Sequence, residues 1–219
     1  MQPVVLRSER LVLSAPTMDD VDAITQACQD PEVQAWTTVP SPYTRADAEE
    51  YIRDKVAAGW ADGSACTWAI RLGEHAPVVG MVNCFGIADG GAEIGFWVAA
   101  EVRGRGVVSE AVNLVCDFGF APDGLGLQRI QWHAKTGNVA SAAVARRAGF
   151  QFEGTARLGG AQRGVRFDSW SAALLATDER RPTVGWPDET FARDARAGSD
   201  ASGASDASSA SGASGPQGA

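Results

Sequence analysis

The sequence has few of the residues from which metal centres and histidine-dependent catalytic sites are built. Histidine occurs only at His75 and His133, and the four cysteines stand singly, without a Cys-x-x-Cys pair. A zinc site, a histidine metal cluster or a Ser-His-Asp triad therefore has little material. We expect no bound metal, and we expect reduced cysteines that are buried as small apolar side chains.

Long apolar runs and excess positive charge are also missing. No apolar stretch approaches the roughly 18 to 20 residues that a membrane span requires, and the first residues lack the basic-then-apolar layout of a secretory signal. The formal net charge is −8, whereas a nucleic-acid surface needs clustered lysine and arginine. We therefore expect a cytoplasmic protein without a nucleic-acid or membrane partner.

The composition divides the 219 residues into three parts. Residues 1–180 have the balance of apolar and charged residues of one globular domain. Residues 181–196 contain prolines that break any long element, and we interpret them as a transitional C-terminal extension. Residues 197–219 are mostly Ala, Ser and Gly, which cannot bury enough apolar surface to offset ordering entropy, so a disordered tail is expected there.

Apolar periodicity predicts an α+β (mixed α/β) chain, because helices both precede and interrupt the strands. A strand or a strand pair is expected in residues 4–16, a helix over 17–33 with Thr17 as N-cap, and a second helix over 41–60 with Thr44 as N-cap. The later predicted strands cover residues 65–72, 77–87, 91–99, 127–134, 150–158 and 164–176, and the later helices cover 107–120 and 138–149.

The segment "VRGRGVVSEAV", residues 102–112, places a glycine-rich turn at the start of an amphipathic helix. The first N–H groups of a helix lack partners and carry partial positive charge, so they bind anions. Gly104 and Gly106 have no Cβ to keep a ligand away, while Arg103 and Arg105 add charge. The spacing fits neither a Walker A loop nor a dinucleotide fingerprint. The alternative is a glycine loop that only turns the chain.

Two segments resemble the GCN5-related N-acetyltransferase (GNAT) family. They are "EIGFWVAAEVRGRGVVSEAV" and "LGLQRIQWHAKTGNVASAAVARRAGFQFEGTAR", and within the family they are most similar to the branch that acetylates N-terminal α-amines of ribosomal proteins. The family pattern [QR]-x-x-G-x-[GA] matches at Arg103 and Gly106, with Val108 departing from it, and N-x-x-S matches at Asn138 and Ser141.

The resemblance implies an acyl-CoA N-acyltransferase fold, with a central, mostly antiparallel twisted sheet flanked by helices, and acetyl-CoA as co-substrate. It implies that Ser141 protonates the departing thiolate, since many members carry a tyrosine where this chain has Ala145. The residues expected to bind the donor are Val102, Arg103, Gly104, Arg105, Gly106, Val107, Val108, Asn138 and Ser141.

Glu93 is the candidate general base. Strand alternation places it on the same face as Gly95 and Trp97, and the resemblance supports it because similar members carry a glutamate here. An α-amine has a pKa of about 7.7 to 8.0, so modest basicity suffices. The alternative is a solvated strand-end glutamate. His133 is expected to be structural or to lie at the surface, and Trp36 to lie in the core or beside the acceptor site.

The expected activity is direct acetyl transfer from acetyl-CoA to a primary amine, and the favoured acceptor is a protein N-terminal α-amine. A small amine such as an aminoglycoside or a polyamine is the alternative acceptor. A catalytically silent acyl-CoA-binding regulatory module is the other alternative, because Val108 and Ala145 depart from the family pattern. We expect a monomer or a homodimer.

Overall fold

The computed structural model describes residues 1–191, which form one eight-stranded sheet with helices on both faces. The strand order is β1-β2-β3-β4-β5-β6-β8-β7, and only β5 and β6 pair in parallel. The expected mixed α/β fold with a mostly antiparallel sheet is confirmed. The strands are β1 Leu6–Arg7, β2 Val12–Ser14, β3 Ala65–Arg71, β4 Val78–Ala88, β5 Gly91–Val98, β6 Arg129–Lys135, β7 Gln151–Gln162 and β8 Val165–Leu175.

The helices cover the sheet on both sides. They are α1 Val21–Cys28, α2 Pro31–Trp36, α3 Arg45–Glu50, α4 Ala57–Asp62, α5 Val107–Phe120 and α6 Val139–Arg147. Helices α1 and α3 belong to one apolar core, while α5 and α6 belong to a larger one. The adjacent residues Met81 and Val82 of β4 enter different cores, because alternate side chains of a strand point to opposite faces.

The first predicted helix is wrong in its extent, since the structure divides residues 17–33 among three elements. Thr17 caps a short 3-10 turn, Met18–Asp20, and α1 follows. Helix α1 stops before Pro31, which has no N–H to continue its hydrogen-bond ladder. The Asp30 carboxylate accepts the N–H of Glu32 at 2.8 Å and so caps a new helix, α2.

The second predicted helix is confirmed, with one unforeseen feature. Thr44 caps α3 by accepting the N–H of Asp47, whose carboxylate accepts the N–H of Thr44 in return. Between α3 and α4 the chain makes a π-helical turn, Tyr51–Val56. Such turns insert an extra residue and are frequent at functional sites.

Strands β5 and β6 pair over only a short stretch and then separate. Their parallel register ends at Glu93 opposite Gln131, whereas β5 continues to pair with β4 as far as Val98 opposite Gly80. The described part of β5 beyond Glu93 therefore has β4 on one side and an opening on the other. This fork creates the cleft described below.

The chain after β8 lies against the domain as far as the structure describes it. Trp186 is 5% exposed and belongs to the larger core. Within residues 181–191 of the expected C-terminal extension, Trp186 and Thr190 are buried, while most of the other side chains are exposed. Residues 192–219, which include the expected tail, lie outside the described residues.

Candidate active site

A cleft of about 1150 Å³ opens at the fork between β5 and β6. One wall comes from β5 and the other from β6 and the start of α6. The glycine-rich turn before α5 lies at one end, and the chain between α2 and α3 lies at the other. The predicted site residues that line it are Glu93, Val102, Arg103, Gly104, Gly106, Val107, Val108, Asn138 and Ser141.

The turn before α5 has the geometry of an anion cradle. Gly104 and Gly106 have φ of +76° and +74°, a region that L side chains rarely adopt. Gly106 caps α5, and its carbonyl accepts the N–H of Glu110 at 3.1 Å, so the amides of the intervening residues have no helical partner. A Cβ at Gly104 would meet no atom within 4 Å. The turn therefore combines open space at Gly104 with unpaired amides at a helix start, which are the groups that bind phosphates in proteins.

The apolar residues beside this turn support it. Val102 and Val107 are buried in the larger core. Val108, which departs from the family pattern, is partly buried and packs against the same core while also lining the cleft. The three valines anchor the turn to the sheet and to α5.

Two of the three arginines near the turn differ from the sequence interpretation. The Arg103 guanidinium donates to the carboxylates of Asp30 and Glu32, the latter at 2.9 Å, so its charge is balanced and it ties α2 to the turn. Arg105 is exposed and lies outside the cleft lining. Sequence reasoning missed Arg10, whose Nη1 donates to the Arg105 carbonyl at 3.1 Å. No local pattern marked Arg10, because it lies between β1 and β2 and is 95 residues from Arg105 in the sequence.

Asn138 and Ser141 lie at the start of α6, on the β6 side of the cleft. The Asn138 side-chain oxygen accepts the N–H of Ser141 at 3.2 Å and caps the helix as expected. The Ser141 hydroxyl oxygen accepts the indole N–H of Trp132 at 2.9 Å. Ala145, one turn later, is buried. The Ser141 hydroxyl therefore lies at the wall of the cleft, one helical turn before Ala145.

Glu93 is paired with His133 across the fork. The His133 Nδ1 lies 3.0 Å from a Glu93 carboxylate oxygen, and both side chains are partly exposed and line the cleft. The hydrogen bond with Glu93 raises the pKa of His133, and partial burial opposes that rise. The sequence interpretation, which gave His133 as structural or at the surface, did not foresee this partner. Finding the pair required the parallel register, in which Glu93 faces Gln131 and thus lies two residues from His133.

The β7–β8 hairpin makes hydrogen bonds to α2 and to the segment that follows α2, and these bonds are here called the bridge. Gln162 donates from Nε2 to the carbonyls of Gln34, at 3.3 Å, and Thr37. Arg163 donates to the carbonyl of Val39 at 2.9 Å. Trp36 is 39% exposed and lines the far end of the cleft, so it lies beside the expected acceptor site rather than in the core. The other side chains here include Thr37, Thr38, Val39, Pro40, Tyr43 and Tyr51.

Residues 1–191 contain no cluster of three or more His, Cys, Asp and Glu side chains placed to hold a metal ion. Within the same residues, no helix is long and apolar enough to cross a membrane. The four cysteines are free and buried.

Comparison with known proteins identifies the family. The family model described as "Acetyltransferase (GNAT) domain" matches residues 10–151. The "Uncharacterized N-acetyltransferase p20" of Bacillus licheniformis is 29% identical over 172 residues, which cover 78% of this chain and 95% of the relative.

Two solved structures have the same fold. A putative ribosomal-protein-serine acetyltransferase from Vibrio cholerae aligns with a TM-score of 0.71 at 23% identity, covering 80% of this chain and 99% of the other. The Mycobacterium smegmatis protein RimJ, solved in complex with CoA-disulfide, aligns with a TM-score of 0.71 at 21% identity, covering 90% and 98%. With a family model that matches most of the chain and a cleft that fits a phosphate-bearing donor, this chain belongs to the GNAT family of N-acetyltransferases.

Proposed function

We propose that this enzyme transfers the acetyl group of acetyl-CoA to the N-terminal α-amine of a protein. The observation that carries the acceptor class is the support of one cleft wall by the β7–β8 hairpin. Gln162 and Arg163 donate to the carbonyls of Gln34, Thr37 and Val39, and Thr37 and Val39 line the cleft. These contacts hold that wall in place, and a flexible chain terminus is narrow enough to enter beside it.

The chemistry of an α-amine also suits the residues in the cleft. Its pKa of about 7.7 to 8.0 leaves a sizeable fraction neutral at pH 7, whereas a lysine side chain near 10.4 needs a stronger base. Glu93 is a partly exposed carboxylate already bonded to His133, and such a group is a modest base. One similar fold belongs to a protein described as a putative ribosomal-protein-serine acetyltransferase, and this description supports a protein acceptor.

The residues of the cleft divide the reaction between them. Bound acetyl-CoA supplies a thioester carbonyl that an amine can attack. The open amides at 104–108 hold its diphosphate, and the Asn138 side chain, which caps α6 with its oxygen, has its NH₂ group left for the pantetheine arm. Glu93, or a water that it holds, accepts the ammonium proton, and the neutral amine attacks the thioester carbonyl directly. As the carbon–sulfur bond breaks, Ser141 donates its proton to the leaving sulfur, and the second proton lost by the nitrogen restores the Ser141 hydroxyl through water.

We also propose a cytoplasmic location, because free buried cysteines are typical of a reducing compartment. We propose that the reaction needs no metal ion. We propose no nucleic-acid partner either, since phosphate backbones bind basic surfaces and this chain carries a formal charge of −8.

An acceptor screen tests the proposal. Release of CoA thiol and the mass of the product are measured with the full chain and four acceptors: peptides with a free N-terminus, the same peptides with a blocked N-terminus and an internal lysine, polyamines, and aminoglycosides. We expect turnover with the free N-termini and little with the blocked peptides. Turnover only with small amines would overturn the acceptor class. Tight binding of acetyl-CoA with no turnover on any acceptor would instead identify a silent binding module.

A further inference from the structure

The indole of Trp132 makes a hydrogen bond that fixes which way the Ser141 hydroxyl can act. Trp132 is 1% exposed, and its Nε1–H donates to the Ser141 oxygen at 2.9 Å. An indole N–H can only donate, while a hydroxyl has one proton and two lone pairs. The bond therefore occupies a lone pair of Ser141 and leaves its proton free to be donated into the cleft.

The position of Ser141 on its helix acts in the same direction. It is the third residue after the Asn138 cap of α6, in the first turn. Partial positive charge at a helix N-terminus stabilises a neighbouring oxygen that becomes more negative, and so does a donated hydrogen bond. Both features help Ser141 release its proton.

Trp132 is in turn held by the C-terminal segment. The ring of Trp186 lies 5.6 Å from the ring of Trp132 and 5.3 Å from that of Phe152. The Trp186 N–H donates to the carbonyl of Phe150 at 3.3 Å and to the hydroxyl of Thr183 at 2.9 Å. Trp186 is thus fixed in a buried position where it closes one side of the Trp132 ring.

Residues 180–191, here called the C-terminal strap, are anchored on both sides of Trp186. Arg180 donates to Asn113 and Asp117 of α5, each at 2.9 Å. Near the other end, Glu189 accepts the indole N–H of Trp170 at 3.2 Å, and the ring of Phe191 lies 3.7 Å from the Arg146 guanidinium. The strap lies beyond residue 151, where the match to the family model ends. Trp186 nevertheless contacts the ring of Trp132, which in turn donates a hydrogen bond to Ser141.

We propose that Trp132 is a positioning residue that orients the Ser141 hydroxyl for proton donation, and that Trp186 of the C-terminal strap holds Trp132 in that role. The inference rests on the proposed function of Ser141 and extends it to two tryptophans. Trp132 is buried at the wall of the cleft, and Trp186 lies outside the cleft lining. The C-terminal strap therefore contributes to the rate of acetyl transfer by holding Trp132 in place.

A double-mutant cycle tests the proposal. Trp132→Phe removes the N–H donor but keeps an aromatic ring, so we expect kcat to fall about 10-fold, the effect of a lost hydrogen bond, with the KM for acetyl-CoA changed less than twofold. Trp186→Leu should lower kcat about threefold, because only the support of Trp132 is lost. In a Ser141→Ala background, neither substitution should lower kcat further.

Trp60→Phe is the matched control for general damage. Trp60 is also buried, and its N–H donates to the carbonyl of Thr67 at 3.2 Å, but it packs against Trp68 away from Ser141. Any effect of Trp60→Phe should be the same in both backgrounds. Equal effects of Trp132→Phe in the wild-type and Ser141→Ala backgrounds, or wild-type kcat in Ser141→Ala itself, would overturn the proposal while leaving the N-acetyltransferase function in place.

A readout without turnover separates this proposal from the proposed function. In a ¹H–¹⁵N spectrum of the full chain, the indole signal missing from Trp132→Phe identifies Trp132. We expect that signal to move in Ser141→Ala, because the N–H loses its acceptor, while the Trp60 signal stays in place. An unmoved Trp132 signal would overturn the positioning role even if the enzyme acetylates every peptide. Absent turnover on every acceptor with a moved signal would overturn the proposed function, and the proton donation by Ser141 with it, while leaving the hydrogen bond between Trp132 and Ser141 in place.

Discussion

The donor end of the cleft is made mostly of main chain, whereas the acceptor end is made of side chains that come from distant parts of the sequence. At the donor end, five consecutive residues, 104–108, present open amides around Gly104 and Gly106. At the acceptor end, Glu93 meets His133 across the fork, and Gln162 reaches the segment after α2.

This difference predicts opposite sensitivities to mutation. A cradle of amides tolerates changes in the side chains around it, but an added Cβ fills the space that the ligand needs. An end built from side chains tolerates changes in the local backbone but depends on each group being present. The donor site should therefore resist most substitutions outside its glycines, and acceptor use should respond to single side chains such as Glu93.

Removing the charge of Glu93 should give the largest effect. Glu93→Gln keeps the shape but cannot accept a proton, so kcat with a peptide acceptor should fall on the order of 100-fold at pH 7, the low end for a general base. The loss should shrink toward pH 9, where the α-amine, with a pKa of about 7.7 to 8.0, arrives already neutral. Initial rates of CoA release from pH 6 to 9 measure both effects.

Glu153→Gln is the control for Glu93→Gln. Glu153 is also a paired carboxylate on the same sheet, bonded to Arg129 at 2.7 and 2.8 Å, but it lies outside the cleft lining. It should leave the rate unchanged. Equal activity of Glu93→Gln and the wild type at every pH would remove Glu93 from the mechanism.

A side chain at Gly104 should give the second-largest effect, and it tests the main-chain character of the donor end. Gly104→Val places a branched Cβ in the open space of the cradle, at a φ of +76° that costs an L-residue about 1 to 2 kcal/mol. CoA should bind roughly 10- to 50-fold more weakly, as measured by calorimetry.

Arg105→Ala is the matched control, since it alters an exposed side chain in the same turn while leaving the amides in place. It should change the affinity for CoA less than threefold. A larger loss in Arg105→Ala than in Gly104→Val would mean that the donor end depends on side-chain charge, and the contrast between the two ends would fail.

The donor end could be predicted from the sequence because its geometry is local. Glycines before an amphipathic helix indicate both the turn and its open amides within a few residues, and the helix indeed begins at Val107. The Asn138 cap and the strands of the sheet were predictable for the same reason, since capping and alternation depend on near neighbours.

The acceptor end could not be predicted, because it depends on register and on tertiary contacts. The Glu93–His133 pair requires knowing that β5 and β6 are parallel and separate after Glu93. The same reason applies to one contact of the donor end, since the charge of Arg103 is balanced by carboxylates at the start of α2, more than 70 residues away. One local signal was also missed. Pro31 is visible in the sequence and indicates a helix end, but the apolar periodicity continues past it and predicted a single helix.

Loosening the bridge should affect acceptor use and leave donor binding intact. In Gln162→Ala/Arg163→Ala, the side-chain donors to the segment after α2 are lost. Each such bond contributes about 1 kcal/mol, so the KM for a peptide should rise about three- to fivefold with the CoA affinity unchanged. Arg166→Ala is the control, because Arg166 bonds to Leu158 within the same hairpin at 2.9 Å. An unchanged peptide KM in the double variant would show that the bridge does not shape acceptor entry.

The smallest expected effect concerns the stability that the Glu93–His133 pair contributes. The hydrogen bond to Glu93 raises the pKa of His133 above its ordinary value near 6.5, with Glu153 adding to the rise and Arg129 opposing it. A raised folded-state pKa stabilises the fold below pH 6.5, and this contribution disappears as the pH rises through the raised value. Both side chains are about a third or more exposed, so solvent screening keeps the contribution below about 1 kcal/mol.

His133→Gln should therefore lower the Tm by about 1 to 2 °C at pH 6 and by almost nothing at pH 9, as measured by thermal unfolding of the full chain. His75→Gln, which alters an exposed histidine outside the cleft, should show no such trend. A Tm difference for His133→Gln that grows as the pH rises would reverse the sign of the linkage. In that case the acceptor end would be held by contacts other than this pair, and the dependence of that end on single side chains would have to be located elsewhere.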